Sequence, residues 1–577
     1  MLSATGHKST AAQAAKETVF VLGSLSDLKS SSQVSDVIIV GGGAAGLTLA
    51  HAVASSGKSV LLLEAGGDKR TKTSQDFYRG ELADKVVHPP TDNYRVRAIG
   101  GTSRIWGGRA IPFDPIDFEK RDWVSGSGWP FGHKELADYY HKGMEASEAG
   151  RSAFLPGQAL PGAQGELAPG LDGEFVRTTI ERFSKPTNFW RRYGGDLTRM
   201  TNVRIVKDAP VVHIQLASDG KSVDWVEVAE PGGGRLKVHG RSFVLALGGL
   251  ETTRLLLASN DVRPAGIGND SDLLGRNYMS HLCATVGTVS FAGSPERIAY
   301  DYAQDADGIY VRRRLWLTEK AQREFSLLNT TFRTHLPEPA DPAHGDAILS
   351  AMFLVKDIVL YEYSRKFVEN PVGWGGRLRH VGNVARQPFR LASFGTNWLR
   401  KRTFADRKLP SVVLGSRQNR YELEFHAEQA PNPDSRLTLS AERDAFGMPR
   451  LKIDWRITDL DLASLETSYA LLSRELAATG AGRLDYDRAK LTYKAQRHGI
   501  VGGHHIGTTR MSDDPRQGVV DADCRVHGVG NLYVASASVF PTSGQANPTL
   551  TLLALTFRLA EQLGRVQQAQ AVEAQAA

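Results

Sequence analysis

The sequence predicts an α/β protein built around a Rossmann-like dinucleotide-binding unit, and three observations carry that prediction. A short apolar strand runs into a Gly-x-Gly-x-x-Gly turn and a helix close to the N-terminus. A second strand–glycine–helix unit occupies Arg241 to Ser259. The chain has 577 residues, too long for one compact core, so two domains or one large enzyme with insertions are expected.

The first unit is "DVIIVGGGAAGLTLAHAVASSGKSVLLLEAGG", beginning at Asp36. Val37 to Val40 is β-branched and apolar, as a strand buried on both faces must be. Gly41, Gly43 and Gly46 follow with Ala44 and Ala45 between them, and "AAGLTLAHAVAS" has helical spacing. Lys58 to Leu63 reads as a second buried strand, ending in Glu64 and Ala65, with Glu64 eighteen residues after Gly46. The pieces stand in the order a βαβ unit requires. Glycines let the backbone approach a pyrophosphate, and the helix N-terminus offers unpaired N–H groups to its charge. Glu64 is placed to accept from ribose hydroxyls and to repel a 2′-phosphate. The fingerprint by itself does not separate NAD from FAD.

Further along, "AIGGTSRIWGGRAIPFDPIDFE" (Ala98 to Glu119) exposes backbone in two glycine-rich turns, with Gly101, Thr102, Ser103, Trp106, Gly107 and Gly108 as candidate ligand contacts. "RSFVLALGGLETTRLLLAS" is the second strand–turn–helix unit, with Gly248 at its turn. "GGHHIGTTRM" (Gly502 to Met511) sets two histidines side by side, and neighbouring residues of an extended segment point in different directions. "VASASVFPTSGQANPTLTLL" follows near the C-terminus.

Bulk properties exclude several classes. Apolar content is 41% and no run of eighteen apolar residues exists, so no membrane-spanning helix is expected. Two cysteines, Cys283 and Cys524, give neither a disulfide framework nor a Cys-x-x-Cys site, so a reducing compartment is the default. Residues 1–35 form a partly ordered lead-in without the charged and apolar regions of a secretory signal, and a cytoplasmic location is expected. The tail 566–577 is expected to fray. Histidine spacing shows no metal site, and Ser538 lies outside any Gly-x-Ser-x-Gly turn, which removes a serine hydrolase.

The net charge of +7 is concentrated in one place: between Arg365 and Lys408 stand eleven Lys and Arg against Glu369 and Asp406. The rest of the chain is near neutral, so no nucleic-acid partner is expected. Within 361–408 the cations interleave with Tyr361, Tyr363, Phe367, Trp374, Phe389, Phe394, Trp398 and Phe404. That pattern suits a lid or oligomer contact, or a membrane surface or redox partner.

The fingerprint, Gly-Gly-Thr-Ser-x-x-Trp-Gly-Gly, "LALGGLETTRLLL" and the pair "HxxGT" and "NPTLT" together resemble the glucose–methanol–choline (GMC) oxidoreductases. The resemblance runs from about Asp36 to Leu563 and is closest in motif form to the pyranose-oxidase and bacterial sugar- and glycoside-oxidising branch, which "EQAPNPDSRLTLS" also fits. It implies an FAD domain from 36–130, 200–290 and 495–565. It further implies a substrate domain from 131–199 and 291–494, with a six-stranded antiparallel sheet. It implies oxidation of an alcohol by hydride transfer to flavin N5, with oxygen or a quinone as acceptor. Carried over, Gly41, Gly43 and Gly46 meet the pyrophosphate, Glu64 the ribose, the loop Gly100 to Gly108 the flavin, and Val211 the adenine. Asn547, Pro548 and Thr549 lie by the ring. Two positions depart from relatives. Ile105 stands where some carry a flavin-linking histidine, so FAD is expected to be non-covalent. Ser536 stands where many carry aspartate.

Alcohol oxidation needs a proton acceptor beside the carbinol, and neutral imidazole suits that role. His504 occupies the histidine position of "HxxGT", three residues before Gly507, and is the expected base, with Asn547 as its partner on the substrate oxygen. His505 is expected to be a structural neighbour or a flavin contact. His133, His213 and His281 read as scaffold residues, and His426 and Gln429 as candidates for the substrate side. A sugar, glycoside or polyol is the expected substrate. A sterol, aryl or aliphatic alcohol is the alternative, and a flavin-holding lyase or decarboxylase a further one.

Overall fold

The computed structural model describes residues 22–23, 25–30, 34–230, 233–355 and 372–576. Most of the lead-in lies outside them, as do Tyr361, Tyr363, Arg365, Lys366, Phe367 and Glu369 of the basic stretch.

The opening strand Ser35–Val40 is the centre of the first sheet. It pairs in parallel with Val60–Leu63 on one side and with Arg235–Leu245 on the other. Its side chains alternate between two cores: Val37 and Ile39 face a layer with Leu47 and Leu553, while Ile38 and Val40 face one with Phe243 and Leu532. Burial on both faces is why this strand is apolar throughout. Val203–Val206 and Leu22–Gly23 extend the parallel part, Leu532–Val534 joins Arg235–Leu245 in parallel, and an antiparallel meander closes the far edge. The two strand–glycine–helix units expected from sequence therefore lie side by side in one sheet. The helix Ala44–Ser55 packs against the terminal helix Thr549–Ala576. That last helix continues through the stretch expected to fray.

The second sheet is antiparallel throughout, and among the described residues it has eight strands, not six. Its centre is Leu282–Phe291, Arg420–Ala427, Thr330–His335, Tyr310–Leu317 and Val176–Phe183. Leu282–Phe291 belongs here by hydrogen bonding, so the segment expected to end at 290 leaves the first sheet before Leu282. The helix Asp459–Ala478 covers this sheet: Tyr469 is buried against Phe332 and Phe425, and its hydroxyl donates to the Val286 carbonyl.

Candidate active site

Two cavities meet at the junction of the sheets. The first is a cleft along the C-terminal ends of the parallel strands, the place where open α/β sheets bind ligands. Gly41, Gly43, Ala44, Ala45, Glu64, Ala65, Gly101, Thr102, Ser103, Trp106, Val211, Gly248, Ser536, Pro548 and Thr549 all line it. Gly41 has φ of +108°, and a Cβ there would lie 2.6 Å from the Ala246 carbonyl oxygen, so the turn demands glycine. Gly43 caps the helix with no side-chain partner, and a Cβ there would project into open space, leaving first-turn N–H groups facing the cleft.

Three expectations change in detail. Gly46 does not line the cleft: a Cβ there would meet the Gly41 carbonyl oxygen at 1.9 Å, so its role is close packing of helix on strand. Glu64 braces the protein itself, accepting from the amides of Gly42 and Gly66 at 2.7 Å each. Burial raises its pKa, while those two amides and Arg97 oppose the shift. Its remaining lone pairs still face the cleft. Gly107 and Gly108 line the second cavity instead of the first. Arg97, which sequence reasoning missed, is buried in the cleft with its guanidinium 4.5 Å from the Phe77 ring centroid. It sets a cation in the cleft wall near the Glu64 carboxylate.

The second cavity, of about 450 Å³, is floored by the antiparallel sheet. His504 and Asn547 stand in its wall, with Thr102, Trp106, Pro548 and Thr549 shared with the cleft. The segment carrying His504 is held in register by paired hydrogen bonds between Met279 and Ile506, of 2.9 and 3.1 Å. Gly507, with φ of +87°, lies against the Asn277 carbonyl, where a Cβ would stand at 2.3 Å. The extended backbone then turns the two adjacent histidines to different cavities: His504 to the second, His505 to the cleft.

Hydrogen-bond partners fix the protonation pattern. His281 Nε2 lies 3.2 Å from the Ser543 carbonyl, which can only accept, so that nitrogen carries the proton. His281 Nδ1 is then bare and accepts from His504 Nδ1–H at 2.8 Å. His504 Nε2 is left with its lone pair toward the cavity, 3.2 Å from the Asn547 amide nitrogen. Asn547 is oriented by Arg109, whose Nη1 is 3.4 Å from Oδ1. Burial holds the pKa of His504 well below the ordinary imidazole value, with His281, Arg109 and His505 adding to the effect. Burial likewise lowers His281 to about 3. His504 is thus a neutral base with its accepting nitrogen presented to the cavity.

His281 is accordingly no scaffold residue: it orients the base from a position 223 residues away. His426 lines the cavity, stacked on His281 at 4.6 Å and anchored through Nδ1 to the Gln545 carbonyl at 2.8 Å. Gln429 does not line it, being spent on Ser280, Trp455 and the Arg456 carbonyl. Nitrogens of His281, His426 and His504 lie within 4.8 Å of one another, a grouping that sequence spacing did not show. The 2.8 Å separation of His281 and His504 is a hydrogen bond, shorter than the about 3.3 Å between two nitrogens on one tetrahedral zinc ion.

His505 has its own chain of partners. His88 Nδ1 donates to the Pro89 carbonyl at 2.6 Å, so His88 Nε2 accepts from the Tyr278 hydroxyl at 3.0 Å. That hydroxyl accepts from His505 Nδ1 at 2.8 Å, which leaves His505 Nε2 bare, buried and without a protein partner in the cleft. A ligand hydroxyl or N–H fits there. With the uncapped helix at Gly43, this orphaned acceptor shows that the cleft suits a dinucleotide.

Comparison with known proteins finds two matching family models. A family model described as FAD dependent oxidoreductase matches residues 36–353, and one described as GMC oxidoreductase matches 431–556. The chain is similar to the fructose dehydrogenase large subunit of Gluconobacter japonicus, 23% identical over 91% of this chain and 97% of that protein. It is also similar to paromamine 6'-oxidase of Streptomyces fradiae, 25% identical over 93% and 92%. The crystal structure of pyridoxine 4-oxidase from Mesorbium loti shares the fold, with a TM-score of 0.54 at 20% identity over 92% of this chain and 99% of that one.

Proposed function

Since the chain belongs to the FAD dependent oxidoreductases, and within them to the GMC oxidoreductases acting on CH–OH groups, we propose that it oxidises a hydroxyl of a sugar, glycoside or related polyol to the carbonyl. The observation that carries this reading is the neutral His504 Nε2, held by His281 and Asn547 at the edge of the second cavity.

Bound in the cleft, FAD supplies the hydride acceptor. Gly41, Gly43 and the first turn of Ala44–Ser55 would hold its pyrophosphate, Glu64 would meet the ribose with Arg97 close by, Val211 would meet the adenine, and Gly101 to Trp106 with Pro548 and Thr549 would border the ring. Ser536 adds a neutral hydroxyl. Ile105 has no nucleophile, which supports non-covalent attachment, and a yellow supernatant after acid precipitation is the expected check. His504 Nε2 takes the hydroxyl proton. The Asn547 amide donates to the same oxygen and fixes its direction. His504 Nδ1–H remains on His281, so the imidazolium is stabilised as it forms.

The cavity supports a polyhydroxylated substrate. Arg109, Arg312, Arg333, Thr334, His335 and Glu424 line it, a charged and polar wall whose members pair within the protein and can share further hydrogen bonds with ligand hydroxyls. Two of the similar proteins carry sugar or aminoglycoside names, which supports the same class. Neither cysteine forms a disulfide, which suits the cytoplasm.

The test is anaerobic flavin bleaching across a panel of sugars, glycosides and simple alcohols, followed by oxygen or a quinone to identify the acceptor. His504→Ala should lower the bleaching rate by about 10²–10⁴-fold with the flavin spectrum intact. His505→Phe should weaken FAD retention while costing far less in rate. Bleaching by simple alcohols alone would sink the sugar reading. An unslowed His504→Ala would sink the base assignment.

A further inference from the structure

The arm formed by Trp374–Arg386, Pro388–Trp398 and Leu399–Thr403 is built inside out. A helix on a globular core normally turns its apolar stripe inward and its polar face to water. The two buried side chains of Trp374–Arg386, His380 and Asn383, are polar, although the His380 ring also stacks on Phe353. His380 lies 3.0 Å from Ser350 Oγ and 3.3 Å from the Ala340 carbonyl. Asn383 donates to the Pro342 carbonyl at 3.0 Å and to Ser350 Oγ at 3.1 Å. The outward face is apolar: Trp374, Leu378 and Val381, spaced as one helical stripe, are 81%, 69% and 52% exposed. Phe389 and Phe404 on the following elements are 88% and 79% exposed. Large aromatic side chains left in water on a helix that spends its polar groups inward mark a surface with an apolar partner.

Charge identifies the partner. Between residues 372 and 408 stand nine Lys and Arg against the single acid Asp406. Arg390 pairs with Asp346, and Arg402 and Arg407 hold backbone carbonyls. Arg377, Arg379, Arg386, Arg400, Lys401 and Lys408 are exposed. A second copy of the chain would oppose cation to cation across this face, so self-association through it is disfavoured. Tryptophan, phenylalanine and leucine flanked by arginine is the composition that settles at a bilayer interface, with rings at head-group depth and cations on anionic lipid. We propose that the arm docks the protein on an anionic lipid surface, with Trp374, Leu378 and Val381 entering the interface and the six exposed cations meeting the head groups. The arm also reaches the substrate cavity: Arg402 donates to the Leu409 and Pro410 carbonyls, and residues 410–414 line that cavity's rim. Docking therefore sets the mouth of the cavity beside the lipid.

The experiment is co-sedimentation of the holoenzyme with neutral phosphatidylcholine vesicles and with vesicles carrying about one third phosphatidylglycerol. The expected result is sedimentation with the anionic vesicles only, lost at about 1 M salt, where the Debye length shrinks to about 3 Å. Trp374→Ser with Leu378→Ser, and separately Arg377→Gln with Arg379→Gln and Arg386→Gln, should each lower the bound fraction at least about tenfold. Both variants should keep wild-type flavin content and bleaching rate in solution. Binding to neutral vesicles as strongly as to anionic ones would overturn the proposal, as would unchanged binding of both variants or absence of binding to either vesicle. A dimer in gel filtration that Trp374→Ser dissolves would overturn it too, assigning the face to self-association.

Discussion

Replacing His281 with leucine tests whether the base is set by its remote partner. In the wild type His281 Nδ1 accepts from His504 Nδ1–H at 2.8 Å, because the Ser543 carbonyl holds the proton on the opposite nitrogen of His281. Leucine fills the space and removes the acceptor. A buried donor without a partner costs about 1–3 kcal/mol. The His504 proton is then drawn to Nε2, where it faces the Asn547 amide and blocks proton uptake. At about 1.4 kcal/mol per decade, the productive tautomer falls by about 5- to 150-fold. The assay is anaerobic stopped-flow bleaching at saturating substrate. The loss should sit in the limiting rate and leave the substrate dissociation constant close to wild type. His281→Asn puts Oδ1 where Nδ1 was, keeps an acceptor and should recover most of the rate, which a packing role would not allow. Wild-type bleaching in His281→Leu, or equal losses in the leucine and asparagine variants, would refute the reasoning.

Three further outcomes follow from the same geometry. Asn547→Asp removes the amide donor and sets a carboxylate between Arg109 and His504; bleaching should slow by about 10²-fold. The acid limb of its pH profile should move to higher pH, because the anion favours the imidazolium, and a limb that stays in place or moves down would contradict this. Gly507→Ala drives a Cβ to 2.3 Å from the Asn277 carbonyl at a φ of +87°; both histidines should shift, with loss of rate and of FAD retention together, and loss of only one would separate them. Acid should destabilise the fold steeply: His281, His426, His504 and His505 are all lowered, His281 to about 3. The folded state therefore binds fewer protons, and the stability these groups give is complete above about pH 6.5 and lost as pH falls toward about 3. Asp461, raised to about 6 by burial, works in the opposite direction below that pH. A thermal midpoint that stays level between pH 7 and 5 would contradict the histidine pattern.

Local chemistry was legible in the sequence. The fingerprint at Gly41 could be read because backbone approach, strand burial and helix start impose their residue types within a few positions. His504 could be read because "HxxGT" resembles the GMC motif whose histidine stands three residues before the Gly-Thr turn. Long-range partners were not legible. Nothing near His281 reports that Ser543 and His504 will stand on its two nitrogens, since their meeting depends on how the second sheet abuts the last turns of the first. Arg97 gave no periodic signal, being one cation in an irregular loop. Glu64 was read only for its action on a ribose or a 2′-phosphate, because the bonds it accepts from the Gly42 and Gly66 amides exist only once the loop is folded.

The adjacent histidines show why both kinds of information are needed. Their chemical identity is the same, and each is neutral by burial. Their difference lies in what stands behind each ring. Behind His504, His281 accepts from Nδ1–H and the Asn547 amide donates to the Nε2 lone pair, a bond that a substrate hydroxyl replaces as it enters the cavity. Behind His505, Tyr278 and His88 take the Nδ1 proton, so its free lone pair opens toward the cofactor cleft. One backbone alternation, locked by the Met279–Ile506 pairing and by Gly507, thus delivers two identical acceptors to two cavities. A slip of a single residue would bring Gly503 or Ile506 into one of the two places, so what the fold must protect is that register as well as the histidines.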